Sequence, residues 1–282
     1  AIVSELSGRD PDTRKVDESR IPVAYDTLET ALHQIVNKFN LENFIMIIKS
    51  AGFIQPGMIG SKNALNFAYA LYLRLRADSS LAEGERKRIV RRWFVMSLLT
   101  GRHSGSFEGR WEQDIRRITS QGAAAYLKQI EESELSDSYW TVTLPADLET
   151  TSTVSPYFQA FLAAQIATGA RGFLSKSITV AAMHQQSGDI HHIVPKDYLQ
   201  KNGYPDRGDY NQVGNYALTE TSINISISNK PPSVYMAEVE EQTKGGPLTL
   251  GEITARDDLV RNLAENAIPG FVEQVTAGTY PE

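Results

Sequence analysis

The chain has 282 residues, 41% of them hydrophobic and 22% charged, with a net charge of −6 and no cysteine. This is the composition of a folded chain of one large or two modest domains, and it excludes collagen, coiled-coil fibre and extended disorder. The missing thiol excludes disulfide staples, thiolate zinc sites, iron–sulfur clusters and cysteine nucleophiles, while the acidic balance argues against a generally basic nucleic-acid coat but leaves room for one basic face.

No apolar run approaches the roughly 18–20 residues that cross a bilayer, and no signal-like segment precedes the first periodic stretch. The chain therefore reads as soluble, with no membrane partner. Because it opens on Ala1, it also reads as a piece of something longer. Residues 1–20 are polar and charged and predict a linker or the tail of an upstream domain. From Ala24 to about Ser50 the apolar positions Leu28, Leu32, Ile35, Val36 and Phe39 recur at helical spacing, with an apolar run of uncertain type at Phe44–Ile48. The pair Pro56-Gly57 breaks the chain. Ser61 predicts a cap for a helix through Arg76, with Leu65, Ala68, Leu71, Tyr72 and Leu75 on one side. Further helices are predicted at Glu83–Leu99, Ser106–Ile118 with Ser106 as cap, and Ala123–Glu134. Thr141–Ser155 reads as a connection and Pro156–Gly169 as a small apolar helix. Ser177–Ala182 reads as a strand or short helix. Residues 189–231 are dense in Asp, Asn, Gly and Pro, and Thr254 predicts the cap of a last helix to Asn266. The expected fold is mainly α: a helical body over residues 21–174, a small α+β unit over 175–240, and a C-terminal helical segment over 241–282.

The chemistry-bearing residues gather in that small unit. His184, His191 and His192 fall within nine positions, and the last two precede Ile-Val-Pro in the run Asp189-Ile190-His191-His192-Ile193-Val194-Pro195. Gly214-Asn215-Tyr216-Ala217 follows, then Ile223-Asn224-Ile225-Ser226, then Asn229-Lys230-Pro231-Pro232. Taken singly these residues have ordinary readings. Paired histidines sit in turns, Asn215 after Gly214 suits an Asx-turn, and Asn224 suits a helix cap.

Taken together, residues 189–232 resemble an HNH nuclease, whose ββα-metal fold reads (Asp/His)-His-x-x-Pro, then Asn, then Asn or His. The spacings His192 to Asn215 and Asn215 to Asn224 are similar to the His-Asn-Asn variant of the CRISPR single-effector nucleases. The Pro231-Pro232 pair and Tyr235 look more narrowly like the C-terminal domain of GmrSD-type, modification-dependent restriction and phage-defence enzymes. The stretches Arg92-Trp93-Phe94, Leu98-Leu99-Thr100-Gly101-Arg102 and Ser106-Phe107-Glu108 resemble the helical region of those proteins. The likeness is sharp over 189–235 and loose over 60–275.

The resemblance implies a divalent-metal-dependent DNA endonuclease. His192 would be the general base, suited by an ordinary pKa near 6.5. Asn215 would fix the His192 ring, a role that sets tautomer. His191 and Asn224 would be metal ligands, with Asp189 as an outer or alternative contact. Adjacent strand residues point to opposite faces, so one hairpin serves both histidines. Two protein ligands leave the remaining positions to water and phosphate, which suits Mg²⁺; a His ligand equally admits Mn²⁺, Ni²⁺ or Zn²⁺. Many HNH domains carry a carboxylate at the position of His191 and a His at that of Asn224. Their absence here predicts modest metal affinity. Lys196 and Lys230 are candidate phosphate contacts. The Asp-Gly-Gln-Gln-Arg motif of the relatives' upstream nucleotide-hydrolysing domain does not occur in the sequence; such a domain, a homodimer and a prokaryotic cytoplasmic setting are what the family likeness implies.

Two rival readings remain: a degenerate HNH module that binds DNA or an assembly partner without cutting, and a nuclease acting on RNA. Outside the motif, Arg74–Arg117 carries eleven Arg or Lys against six Asp or Glu, which suits either a DNA-facing side or a helix face of internal ion pairs. His184 reads as structural, His33 as core or rim, His103 as a loop residue, and the three tryptophans as core.

Overall fold

The computed structural model describes residues 6–10, 13, 15–186 and 189–280. The expectation for residues 1–20 therefore falls partly outside the described residues. Helices dominate, with one two-stranded antiparallel sheet among the described residues. No described helix is long and apolar enough to cross a membrane.

The apolar stretch from Ala24 to Ser50 divides into α1 (Arg20–Ile35) and α2 (Lys38–Ser50). Asn37 ends the first and caps the second, its side chain accepting from the Asn40 amide at 3.1 Å. The expected apolar face of α1 buries nothing: Leu32, Ile35, Val36 and Phe39 are exposed, and so is His33. Helical period alone does not say that a neighbour exists.

α3 (Lys62–Arg76) begins at the predicted cap, Ser61 Oγ accepting from the Ala64 amide at 3.2 Å. It buries Ala64, Phe67, Ala68, Leu71, Tyr72 and Leu75, the i, i+3, i+4, i+7 stripe. α4 (Glu83–Leu99) lies at the centre of the body and buries Val90, Trp93 and Phe94 completely. α5 (Phe107–Gln121) and α6 (Ala123–Glu134) complete one side, separated by Gly122. The expected connection at Thr141–Ser155 holds a π turn at Tyr139–Thr143 and a short α7 (Leu144–Leu148). α8 (Pro156–Thr168) starts on Ser155 and Pro156 and stops at Gly169 with φ +71°, a left-handed position that suits glycine. Gly52, also at positive φ, lets the chain after α2 cross the Ala163 carbonyl of α8, where a Cβ would collide.

After α9 (Val180–Gln185) the chain forms β1 (Asp189–His192), a connection carrying α10 (Lys196–Lys201) and α11 (Arg207–Tyr210), then β2 (Tyr216–Thr219) and α12 (Thr221–Ile227). The strands pair antiparallel, with His191 opposite Ala217 and His192 opposite Tyr216. β2 divides two cores by alternation. Tyr216 and Leu218 join the core of the helical body, while Ala217 joins a second core with Phe173, Ile193, Ile223 and Tyr235. That second core also takes in Leu250, Leu259 and Leu263 from the C-terminal region, including α14 (Arg256–Glu265), which follows α13 (Pro232–Thr243). Asn262 of α14 is fully buried and holds the Leu174 amide at 2.8 Å and the Gly172 carbonyl at 2.9 Å. Residues 170–175 and α14 thus belong to the packing of the hairpin.

Candidate functional site

The site begins with strand alternation. On paired strands, residues opposite one another share a face. His191, opposite Ala217, faces α12, and His192, opposite Tyr216, faces the other side. α12 starts directly after β2 and carries Asn224 on its inner side. His191 Nδ1 lies 2.7 Å from Asn224 Oδ1. The two motif residues, far apart in sequence, are brought into contact by a hairpin followed by one helix.

His191 is 3% exposed and stacks against Phe173, the rings 6.0 Å apart. Burial pushes its pKa down to about 4, against a smaller opposing effect of the Asn224 contact, so the ring is neutral at neutral pH. A neutral imidazole is the form that ligates a metal. Its Nε2 is buried without a hydrogen-bond partner, and the Asn224 oxygen, which can only accept, places the ring proton on Nδ1. With the proton on Nδ1, the Asn224 contact is an ordinary hydrogen bond. With it on Nε2, the Nδ1 lone pair and the Asn224 oxygen converge and need a cation between them. With the proton moved in this way, Nδ1 and the Asn224 oxygen would be the two uncharged ligands of a divalent ion that replaces this hydrogen bond. Among the described residues no group of three or more His, Asp or Glu side chains gathers around such a point. Asp189 opens β1, but its side chain lies outside the described residues.

His192 is part-exposed. Its ring stands edge-on to Tyr216 at 5.3 Å and near Tyr210 at 6.3 Å. Its Nε2 lies 2.8 Å from Asn211 Oδ1. The sequence reading gave this role to Asn215, and the structure places Asn215 elsewhere. Asn215 is buried, accepts from the Val194 amide at 2.8 Å, and donates to the carbonyls of Val194 at 3.0 Å and Tyr210 at 3.1 Å. It ties the chain just after His192 to the chain just before Asn211. Nothing local separates one asparagine from the other in Asn211-Gln212-Val213-Gly214-Asn215, so the sequence does not single out Asn211.

Tyr235 is fully buried and donates its hydroxyl to the Ile193 carbonyl at 2.8 Å. Burial raises its pKa, so it remains a donor. A second clamp comes from the C-terminal residues: Tyr280 donates to the Asp209 carbonyl at 2.8 Å, and Tyr204 donates to the Ala277 carbonyl at 3.0 Å. The connection between the strands is thereby fastened on two sides.

Of the candidate phosphate contacts, Lys196 is exposed at the start of α10, its ammonium 5.4 Å from the Tyr210 ring that also flanks His192. Lys230 holds both carboxylate oxygens of Glu238, at 2.8 and 2.7 Å. It reaches a phosphate only by giving up that pair. His184 lies outside the site, and its carbonyl accepts from Gln55 of the helical body at 3.3 Å.

Part of the basic stretch is paired with carboxylates of the body: Lys87 with Glu83, Arg88 with Glu85, Arg92 with Glu131, and Arg116 with Glu112. Arg102 is buried, holds Asp114 at 2.5 and 2.9 Å, and also pairs with Glu134. His103 lies in the turn between α4 and α5, as expected, but it is buried in the core. It is 1% exposed, stacks on Phe67 at 4.5 Å and takes the Trp93 indole hydrogen at 3.4 Å. Trp93 is core, whereas Trp140 is 48% exposed, against the expectation for all three tryptophans.

Compared with models of known protein families, with curated proteins and with solved structures, the chain matches none.

Proposed function

We propose that the protein is a divalent-metal-dependent DNA endonuclease of the HNH type, acting in restriction or phage defence. The observation that carries this reading is the hairpin-plus-helix that sets His191 against Asn224 at 2.7 Å, with His192 next to it on the strand and part-exposed. The motif spacing read in the sequence thus coincides with a strand, strand, helix arrangement, which turn or cap chemistry at each residue would not require.

In this reading His192 removes a proton from a water molecule, whose oxygen attacks the phosphorus of a phosphodiester. The bond to the 3′-oxygen breaks, and that oxygen takes a proton from solvent, leaving a 5′-phosphate and a 3′-hydroxyl. His191 and Asn224 would hold a divalent ion, which would supply positive charge for the phosphate and the leaving oxygen. Lys196 adds a cation on the same side as Tyr210. Asn215 and Tyr235 keep the backbone at residues 193–194 still. Mg²⁺ and Mn²⁺ suit the oxygen-rich remainder of the shell. The choice of target, and any nucleotide hydrolysis by an upstream domain, rest on the family likeness alone.

The small number of ligands favours one second reading, a module that keeps the fold and binds DNA without cutting it. Plasmid cleavage with Mg²⁺, Mn²⁺, Ni²⁺ or EDTA, beside His192→Ala, tests the first. Cleavage that needs metal and falls by about 10²–10⁴ in the variant supports the nuclease. Cleavage surviving at more than about a tenth of the wild-type rate removes His192 as base. No cleavage together with no Mn²⁺ uptake favours the binding module.

A further inference from the structure

We propose that Asn211 is the positioning residue of His192: it holds the imidazole proton on Nε2 and leaves Nδ1 as the nitrogen that receives a proton from water. This rests on the reading of His192 as the base.

The argument starts from donor chemistry. The Asn211 side-chain oxygen carries no hydrogen, so at 2.8 Å from Nε2 it can only accept. Nε2 must then be the donor. A neutral imidazole has one N–H, so its lone pair lies on Nδ1. Nδ1 makes no hydrogen bond among the described residues, and the residue is part-exposed, so this nitrogen is open to water. The ring plane is set by Tyr216, almost perpendicular to it at 83°, and by Tyr210 at 60°. Neither tyrosine contact distinguishes one nitrogen from the other; only the Asn211 bond does.

Asn211 is itself fixed. It closes α11, its amide donating to the Arg207 carbonyl at 3.2 Å. The Tyr210 carbonyl beside it is held by Asn215, and the Asp209 carbonyl by Tyr280. Asn215 therefore acts on His192 at one remove, by holding the backbone on which Asn211 stands. An Asn at 211 whose only task was to cap α11 would not need its side chain on the histidine.

The tautomer can be read directly by long-range ¹H–¹⁵N correlation of the intact protein in mildly alkaline solution, with His192 assigned by its absence in His192→Gln. The wild type should show the Nε2–H pattern at His192. Asn211→Leu should lose that pattern and lower kcat about 10–100-fold with KM little changed, by analogy with the loss of a residue that orients a ligating histidine. Asn211→Asp, which keeps an acceptor at this place, should retain the pattern and most of kcat. Should Asn211→Leu not fold, Asn211→Ala and the wild-type spectrum decide. An Nδ1–H pattern in the wild type, or unchanged pattern and kcat in the variant lacking the acceptor, overturns the proposal. If the spectra behave as expected but His192→Gln still cleaves, the contact stands and the reading of His192 as base is what fails.

Discussion

Asn215→Ala separates the role that motif spacing assigns to this residue from the one its contacts support. The wild-type side chain is 4% exposed and makes three hydrogen bonds, to the Val194 amide and to the carbonyls of Val194 and Tyr210. The substitution removes all three and leaves these backbone groups in buried surroundings, since Val194 and Tyr210 are 3% and 7% exposed. A neutral hydrogen bond contributes about 1 kcal/mol net, and a buried group left unpaired costs about 1–3 kcal/mol, so the expected loss is about 3–5 kcal/mol. That is a large share of the roughly 5–15 kcal/mol that keeps a domain folded. Asn215→Asp should fare no better, because it keeps an acceptor for the Val194 amide but turns a carboxylate oxygen toward two carbonyls. Urea unfolding followed by tryptophan fluorescence, run beside cleavage, measures both consequences. A clamp predicts that activity falls with stability and returns in part on cooling or with osmolyte. A loss of stability under about 1 kcal/mol together with a cleavage defect of a hundredfold or more would refute the clamp and return Asn215 to the His192 ring.

Other perturbations probe the metal pair and the body. Asn224→Ala should weaken Mn²⁺ binding at least about tenfold by calorimetry, about 1.4 kcal/mol, with excess Mn²⁺ partly restoring cleavage; unchanged binding would leave Asn224 with no part in holding the ion. Asp114→Ala leaves the buried Arg102 guanidinium with Glu134 as its remaining carboxylate and should cost about 3 kcal/mol, with Arg102→Leu in the same chain recovering part of it. His103 is held neutral by burial, its pKa down to about 4 from an ordinary 6.5. Below pH 6.5 the unfolded chain takes up a proton that the folded one refuses, so this contribution to stability is lost as pH falls from 6.5 to about 4, on the order of 3 kcal/mol in all. His103→Phe should flatten that slope in urea midpoints measured across the window, and an identical slope in the variant would contradict it.

Local physics made much of the helical body legible. Ser61 and the stripe from Ala64 to Leu75 specify α3, and Glu83–Leu99 appears at its predicted limits, because caps and i, i+3, i+4 periods act within a few residues. The motif residues of the hairpin were legible too, but as a spacing rather than a geometry. Strand alternation said that His191 and His192 part to opposite faces. It did not say that Asn224 would be the neighbour of the first and Asn211 that of the second.

What tertiary structure alone decided was which residue meets which across long separations, because burial and partner choice depend on how elements pack and not on the residue itself. The apolar stripe of α1 has helical period and stays exposed, whereas His103, in an unremarkable Gly-Arg-His-Ser stretch, packs on Phe67 and Trp93. Asn215 and Asn211 differ only in what the folded connection brings to them: the backbone at Val194 and Tyr210 for one, the imidazole for the other. The amino-acid sequence determined the donors and acceptors at hand, and packing determined how they were paired. A hydrogen bond closes over about 3 Å, a distance that only the folded chain sets.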